Sequence, residues 1–340
     1  MSIAIWIVSN TKYKLFSIFN MIMKRRTFIK KNITLTSGLL LFGQQACKSK
    51  NNLLQNVGLQ LFSLPKMLNN DLRGSLEMIS MMGYKKLELY GPFPFSSESA
   101  LKKWEAITPQ LGFSGSGFFN YNVSEFSSLL EEYGLKAKSA HIDLETLHSR
   151  MPQVGEAARS LALECVGIAA IPEEKRTTLD GYKSMADEFN IIGEMAKKEG
   201  LKFIYHNHGY GLQEQDGQIP MKLILENTDP DLVFFEMDIY WTTAGGASPI
   251  EYLKSYPKRY ICMHLKDMSK LVRFSKDGGN PQQWIELFPY MTTVGGGILD
   301  IKKIVYEAKK SGVKHFFVEQ DMVKNPNVAL QESIDYLKNI

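Results

Sequence analysis

Histidines and carboxylates in this chain collect at the ends of short apolar runs. Glu88 closes one run, His141 and Asp143 close another, and His206-Asn207-His208 closes a third. Glu236 with Asp238, then His264-Leu265-Lys266-Asp267, then Glu319-Gln320-Asp321 close three more. Imidazoles and carboxylates held together suit Mn²⁺, Co²⁺, Fe²⁺ or Zn²⁺ and leave positions open for substrate oxygens. A substrate with a carbonyl beside a hydroxyl could chelate such an ion. Its charge would then stabilise the enediolate formed when a proton leaves the adjacent carbon. His315 opens its run and His148 leads into a helix, so both are expected to be structural or solvated.

Chemistry of this kind needs a fold that gathers the run ends. The apolar runs alternate with longer amphipathic stretches, which predicts a parallel sheet with helices on its outer face. The expected strands are Val57 to Ser63, Lys86 to Tyr90, Ala137 to Ile142, Cys165 to Ile171, Lys202 to His206, Leu232 to Met237, Tyr260 to Leu265 and His315 to Glu319. Helices are expected over Leu72 to Met82, Ser99 to Leu111, Ser124 to Tyr133, Tyr182 to Lys198 and Leu299 to Lys310, with glycines such as Gly83, Gly112, Gly134, Gly200 and Gly312 as C-terminal caps. Eight strand-helix units point to an α/β chain folded as a single (β/α)8 TIM barrel, with a doubly wound open sheet as the alternative. Barrels place catalytic groups at the C-terminal ends of their strands, which is where the candidate residues fall.

The chain has 340 residues, 44% hydrophobic and 22% charged, enough apolar material for one large core. A barrel takes about 250 residues, so one domain over residues 51–340 accounts for most of the length. The formal charge of +4 is concentrated near the N-terminus, which leaves the body near neutral and without the basic stripe that nucleic-acid binding needs. Residues 1–50 read as an address label. Lys24-Arg25-Arg26-Thr27-Phe28-Ile29-Lys30 is a twin-arginine run, followed by an uncharged apolar stretch from Ile33 to Gly43 and then Ala46-Cys47. Export to the periplasm is expected, with Met23 as the natural start, and Cys47 stands where a lipid anchor is attached in bacterial lipoproteins. Gln44 and Gln45 fit that pattern poorly. Cys165 and Cys262 lie in apolar runs and read as small buried hydrophobes.

Four stretches together carry a resemblance: Tyr205-His206-Asn207-His208, Met237-Asp238-Ile239-Tyr240-Trp241, His264-Leu265-Lys266-Asp267 and Val318-Glu319-Gln320-Asp321. In this order at strand ends, the chain resembles the sugar phosphate isomerase/epimerase family of the xylose-isomerase-like TIM barrels over roughly residues 55–338. The resemblance implies one divalent metal held by single residues of strands five to eight, here His206, Asp238, His264 and Glu319. It also implies a small sugar or polyol-derived substrate. Epimerases of this kind use glutamates on strands five and eight as bases on opposite faces, and here the strand-five position is His206. One-face isomerisation or elimination therefore fits better than epimerisation, with Glu319 as the base and Lys266 as its partner. A nearby dication is expected to lower the lysine pKa toward the working range.

Around this centre, Gln60, Glu88, His141, His208, Tyr240 and Trp241 are expected to bind substrate or shape its pocket. Gly295-Gly296-Gly297 follows the seventh strand, where many barrels bind phosphate, although export argues against a phosphorylated substrate. Three functions stay open at this point: a metal-dependent sugar isomerase or epimerase, a lyase or hydratase acting on a keto-sugar or inosose, and a non-catalytic carbohydrate-binding barrel. The sequence is equally compatible with a monomer and a homo-oligomer.

Overall fold

The computed structural model describes residue 54 and residues 56–321 and 323–340. The twin-arginine run, the apolar stretch after it and Cys47 lie outside the described residues. Among the described residues no helix is long and apolar enough to cross a membrane.

Eight parallel strands follow in chain order: β1 Gly58–Gln60, β2 Lys86–Tyr90, β3 Lys136–His141, β4 Cys165–Ile168, β5 Lys202–His206, β6 Val233–Asp238, β7 Tyr260–Leu265 and β8 His315–Val318. Each pairs with its sequence neighbours, and β1 pairs with both β2 and β8, so the sheet is closed. Closure rules out the open doubly wound alternative.

Two strands, β1 and β4, end three residues before their apolar runs do, for local reasons. At the end of β1 the Gln60 side chain accepts the Phe62 amide at 3.0 Å, and the chain turns into a short 3₁₀ helix over Leu61–Ser63. Beyond β4 the backbone is claimed by side chains: His208 donates to the Ala169 carbonyl, and the Ile171 amide donates to the Tyr210 hydroxyl at 2.7 Å.

The outer helices stand close to their expected bounds because their ends are chemically marked. Leu72–Met82, Glu98–Leu111, Val123–Glu132, Leu179–Lys198 and Ile301–Ser311 begin after Asp71, Ser97, Asn122, Thr178 and Asp300, whose side chains accept first-turn amides. Gly83 and Gly312 stop two of them at φ of 104° and 111°, a region open to glycine without a Cβ clash. A small antiparallel ribbon, Asp267–Met268 with Met291–Thr292, follows β7 and was not expected.

The barrel interior is plugged at its waist by Cys165, Ile204, Cys262 and Phe317. Large side chains fit there because two strands give way. A Cβ on Gly58 would lie 2.4 Å from the Phe317 ring, and one on Gly167 would lie 2.1 Å from the Ile204 carbonyl oxygen. The two cysteines are free thiols with sulfurs 3.9 Å apart, packed as small apolar groups in keeping with their sequence surroundings.

Register decides what reaches the C-terminal mouth above this plug. His206 lies beside Glu236, whereas Asp238, two residues farther along β6, lies beside His264. Two strand residues rise about 6.6 Å, so Glu236 and Asp238 point to the same interior at different heights.

Candidate metal centre

The upper level of the mouth joins Asp238, His264 and Glu319, whose donor atoms all lie within 4.8 Å of one another. His264 Nδ1 is 2.7 Å from Glu319 Oε2 and 3.9 Å from Asp238 Oδ2. All three residues are buried, yet neither His264 Nδ1 nor Asp238 Oδ2 makes a hydrogen bond. Buried polar atoms without hydrogen-bond partners are costly, and a shared cation resolves that cost for both at once. One imidazole and two carboxylates are a donor set that fits a borderline divalent ion.

Asp238 is placed by its surroundings. Its carboxylate accepts the Trp241 amide at 2.9 Å, and its own amide is near the Asn207 side-chain oxygen at 3.3 Å. Asn207 in turn donates to Thr242 at 3.2 Å. The residue beside His206 thus turns away to brace its neighbour strand.

The lower level joins His141, His206, Glu236 and the other face of His264. His141 Nε2 is 2.7 Å from Glu236 Oε2, and His206 Nδ1 is 3.6 Å from the same oxygen. His264 Nε2 meets Glu88 Oε2 at 2.5 Å, and Gln60 donates to that Glu88 oxygen at 2.8 Å. A carboxylate that holds the distal nitrogen fixes the ring's tautomer and leaves Nδ1 as the donor. Of the quartet expected from the resemblance, Asp238, His264 and Glu319 share one point. His206 stands on the Glu236 rung and faces the lower group.

Lys266 lies against the trio, 2.6 Å from Glu319, 3.0 Å from Asp238 and 2.8 Å from Asp321. Burial works against its charge, but Asp238, Asp321 and Glu319 together hold the ammonium well above its ordinary pKa. In this state it is a proton donor. Burial raises the Asp321 carboxyl to about 7 despite Lys266. Burial opposes ionisation of Glu319 too, but Lys266 and His264 hold its carboxyl below the usual range. The opposite holds for His206, which burial and then the charge of His264 push far below the ordinary imidazole range.

The expected substrate-contacting residues divide. Gln60 and Glu88 are buried behind His264 and committed to it, so they position the centre and do not face its opening. His141 is near the surface of the site and holds Glu236. His208 stacks on Trp284 with centroids 4.7 Å apart. The Tyr240 hydroxyl is spent on the Leu287 carbonyl at 2.6 Å, within an apolar cluster under the loops. Trp241 packs on Phe274, with the Lys266 ammonium 5.4 Å from its ring centre and its indole N–H unpartnered.

Glu236 and Asp321 were marked in the sequence as run-end residues but given no role, and Trp284 was not singled out. Glu236 lies two residues before Asp238, a spacing that puts both on one strand face. Asp321 lies two after Glu319, just beyond the end of β8, and both meet Lys266. The glycine triplet has a different role from phosphate binding. Asp267 accepts the amides of Met268, Gly295, Gly297 and Leu299 at 2.8, 2.9, 3.0 and 3.2 Å. A Cβ on Gly297 would lie 2.3 Å from its carboxylate. The loop's anion position is filled from within the chain.

A family model described as a xylose isomerase-like TIM barrel matches residues 104–340. An inosose dehydratase of Bacillus licheniformis is 26% identical over 264 residues, covering 76% of this chain and 84% of the relative. A second inosose dehydratase, of Clostridium tetani, is 31% identical over 132 residues, 37% of this chain and 42% of the relative. Among solved structures, a sugar phosphate isomerase/epimerase from Parabacteroides distasonis superposes with a TM-score of 0.66 at 22% identity, covering 83% of this chain and 93% of its own. The IolI protein with a bound zinc atom superposes at 0.59 with 16% identity, covering 84% and 95%.

Proposed function

This chain belongs to the xylose isomerase-like TIM-barrel family, and we propose that it is a metal-dependent lyase that removes water from an unphosphorylated polyhydroxy ketone, a keto-sugar or an inosose. The observation that carries the reading is the contact of a carboxylate base with an ammonium acid, Glu319 and Lys266 at 2.6 Å, beside the upper trio. Asp238, His264 and Glu319 would hold the ion. When bound, a dication there supplies the charge that stabilises a developing enolate oxygen.

The chain's own groups supply the proton movements. A Glu319 carboxylate oxygen takes the proton from the carbon next to the substrate carbonyl, and Lys266 gives a proton to the hydroxyl leaving from the neighbouring carbon. One C–H and one C–O bond break, one C=C bond forms, and water departs. Asp321, at 2.8 Å from Lys266 and with its carboxyl raised to about 7, is placed to return the proton to the lysine.

Elimination is favoured over epimerisation because inversion needs a second base across the substrate. His206 stands at the strand-five position in place of a glutamate and faces Glu236 at the lower level, away from the Glu319 carboxylate. The inosose dehydratase relatives support the same reaction type. Asp267 supports an unphosphorylated substrate, since its carboxylate fills the loop where a phosphate would be held.

The test is to incubate the full chain, loaded with Zn²⁺, Mn²⁺ or Co²⁺, with inososes and keto-sugars and to follow product mass. The expected product is lighter by one water, and activity disappears on chelation and returns with added ion. A product of unchanged mass that has taken up solvent deuterium would make the protein an isomerase and overturn elimination. Stoichiometric sugar binding that ignores chelation, with no turnover, would make it a binding barrel.

A further inference from the structure

The lower level of the mouth contains more unbalanced charge than one ion in the upper trio explains. Five carboxylates, Glu88, Glu236, Asp238, Glu319 and Asp321, surround the buried ends of His264 and Lys266. Lys266 and one dication in the upper trio together neutralise three of the five. Glu88 and Glu236 are what remain at the lower level, both against His141, and either its proton or a bound cation balances them.

The lower group offers a place for one. His141, His206 and Glu236 each offer a donor atom within 4.8 Å of the others, on the Nε2 side of His264. The separations from Glu236 Oε2, 2.7 Å to His141 Nε2 and 3.6 Å to His206 Nδ1, bracket the spacing of about 3.4 Å that two donors adopt when each is about 2.1 Å from one tetrahedral ion. Within this group His206 Nδ1 and Glu236 Oε1 are buried and make no hydrogen bond, and the second oxygen of neighbouring Glu88 is also unpartnered. Hydrogen bonding among the lower residues therefore accounts for only part of their donor atoms.

We propose that His141, His206 and Glu236 form a second divalent-cation site, below the upper trio and on the opposite edge of the His264 ring. Two imidazoles and one carboxylate select Zn²⁺ or Co²⁺ over Mg²⁺ or Ca²⁺. On binding, the ion displaces the proton that His141 and Glu236 share, so loading releases acid. The site is separate from the one on which the proposed reaction rests, and either can fail without the other.

The experiment uses the full chain, stripped with a chelator, dialysed, titrated with Co²⁺ and freed of loose ion by gel filtration before elemental analysis. The wild type is expected to retain two ions per chain. His141→Ala and Glu236→Gln should each retain one, as should Asp238→Asn through loss of the upper ion. Circular dichroism confirms that each variant is folded, and His141, at the edge of the site, is the substitution least disruptive to packing. A wild type with one ion, kept by His141→Ala and Glu236→Gln, would overturn the second site and leave the lower group as hydrogen-bonding support. One ion lost in those variants but kept by Asp238→Asn would overturn both this proposal and the ligand set of the proposed reaction. Two ions surviving both lower-level substitutions would overturn the placement.

Discussion

At the N-terminal mouth of the barrel, Glu164 meets His315 at 3.1 Å and Lys138 at 3.0 Å, with Lys86 also acting on His315. The C-terminal mouth uses the same residue types, but there several carboxylates converge on one lysine and three histidines, and all of these groups except His141 and Asp321 are fully buried. Glu164 is 49% exposed, and its charge is shared between cations and solvent. Chemistry is therefore located by the imbalance of charge after burial. Residue type alone would have marked both ends. The waist plug of Cys165, Ile204, Cys262 and Phe317 keeps the two ends apart.

The largest expected effect separates the mouths by activity. Glu319→Gln should lower kcat by about 10²- to 10⁴-fold, the range of a positioned general base, while Glu164→Gln changes it less than about twofold. A steady-state assay of water loss checks both, and an active Glu319→Gln enzyme would break the contrast.

Next comes the partition between them. Phe317→Ala should cost about 3–5 kcal/mol of stability, because Gly58 and Gly167 have no side chains with which to refill the space. A urea unfolding midpoint reads this, and a cost under about 1 kcal/mol would mean that the waist is loosely packed.

A smaller effect depends on pH. Burial, followed by the charge of Lys266, lowers the His208 imidazole to about 3. At this residue the metal-free native state binds fewer protons than the unfolded chain between about 6.5 and 3, so the contribution of His208 to stability should be full above about 6.5 and fall as pH drops through that window. Thermal melts from pH 7 to 4 check this by difference: the stability advantage of wild type over His208→Asn should shrink as pH falls.

The smallest effect sharpens the contrast from the other side. Glu164→Gln should cost no more than about 1 kcal/mol, the worth of a solvent-exposed ion pair, and adding salt should shrink the difference. A large, salt-insensitive loss would show that the N-terminal mouth is also a buried centre.

Much of this could be read in the sequence because strands and helices announce themselves by period and by caps. β2, β5 and β7 coincide with their apolar runs, and Asp71 and Gly83 mark both ends of the helix Leu72–Met82. Asp238, His264 and Glu319 were visible as strand-end residues because a parallel barrel puts all such ends at one mouth. Height within the mouth was not visible. It depends on how β5, β6 and β7 slide past one another and on the irregularity between Phe235 and Glu236, and this is what puts His206 beside Glu236 instead of Asp238. The buried commitment of Glu88 to His264 was hidden for a related reason, since the two lie 176 residues apart in sequence and meet only through closure.

Asp267 gives the loop after β7 an unusual property. A phosphate-gripping turn changes state with its guest, whereas this turn is tethered by a side-chain carboxylate of the same chain and cannot release it without exposing four amides. The rim beside Lys266 should thus keep one shape throughout a catalytic cycle. Replacing Asp267 with glycine would empty the cradle and turn a permanent strut into a receptor for inorganic phosphate.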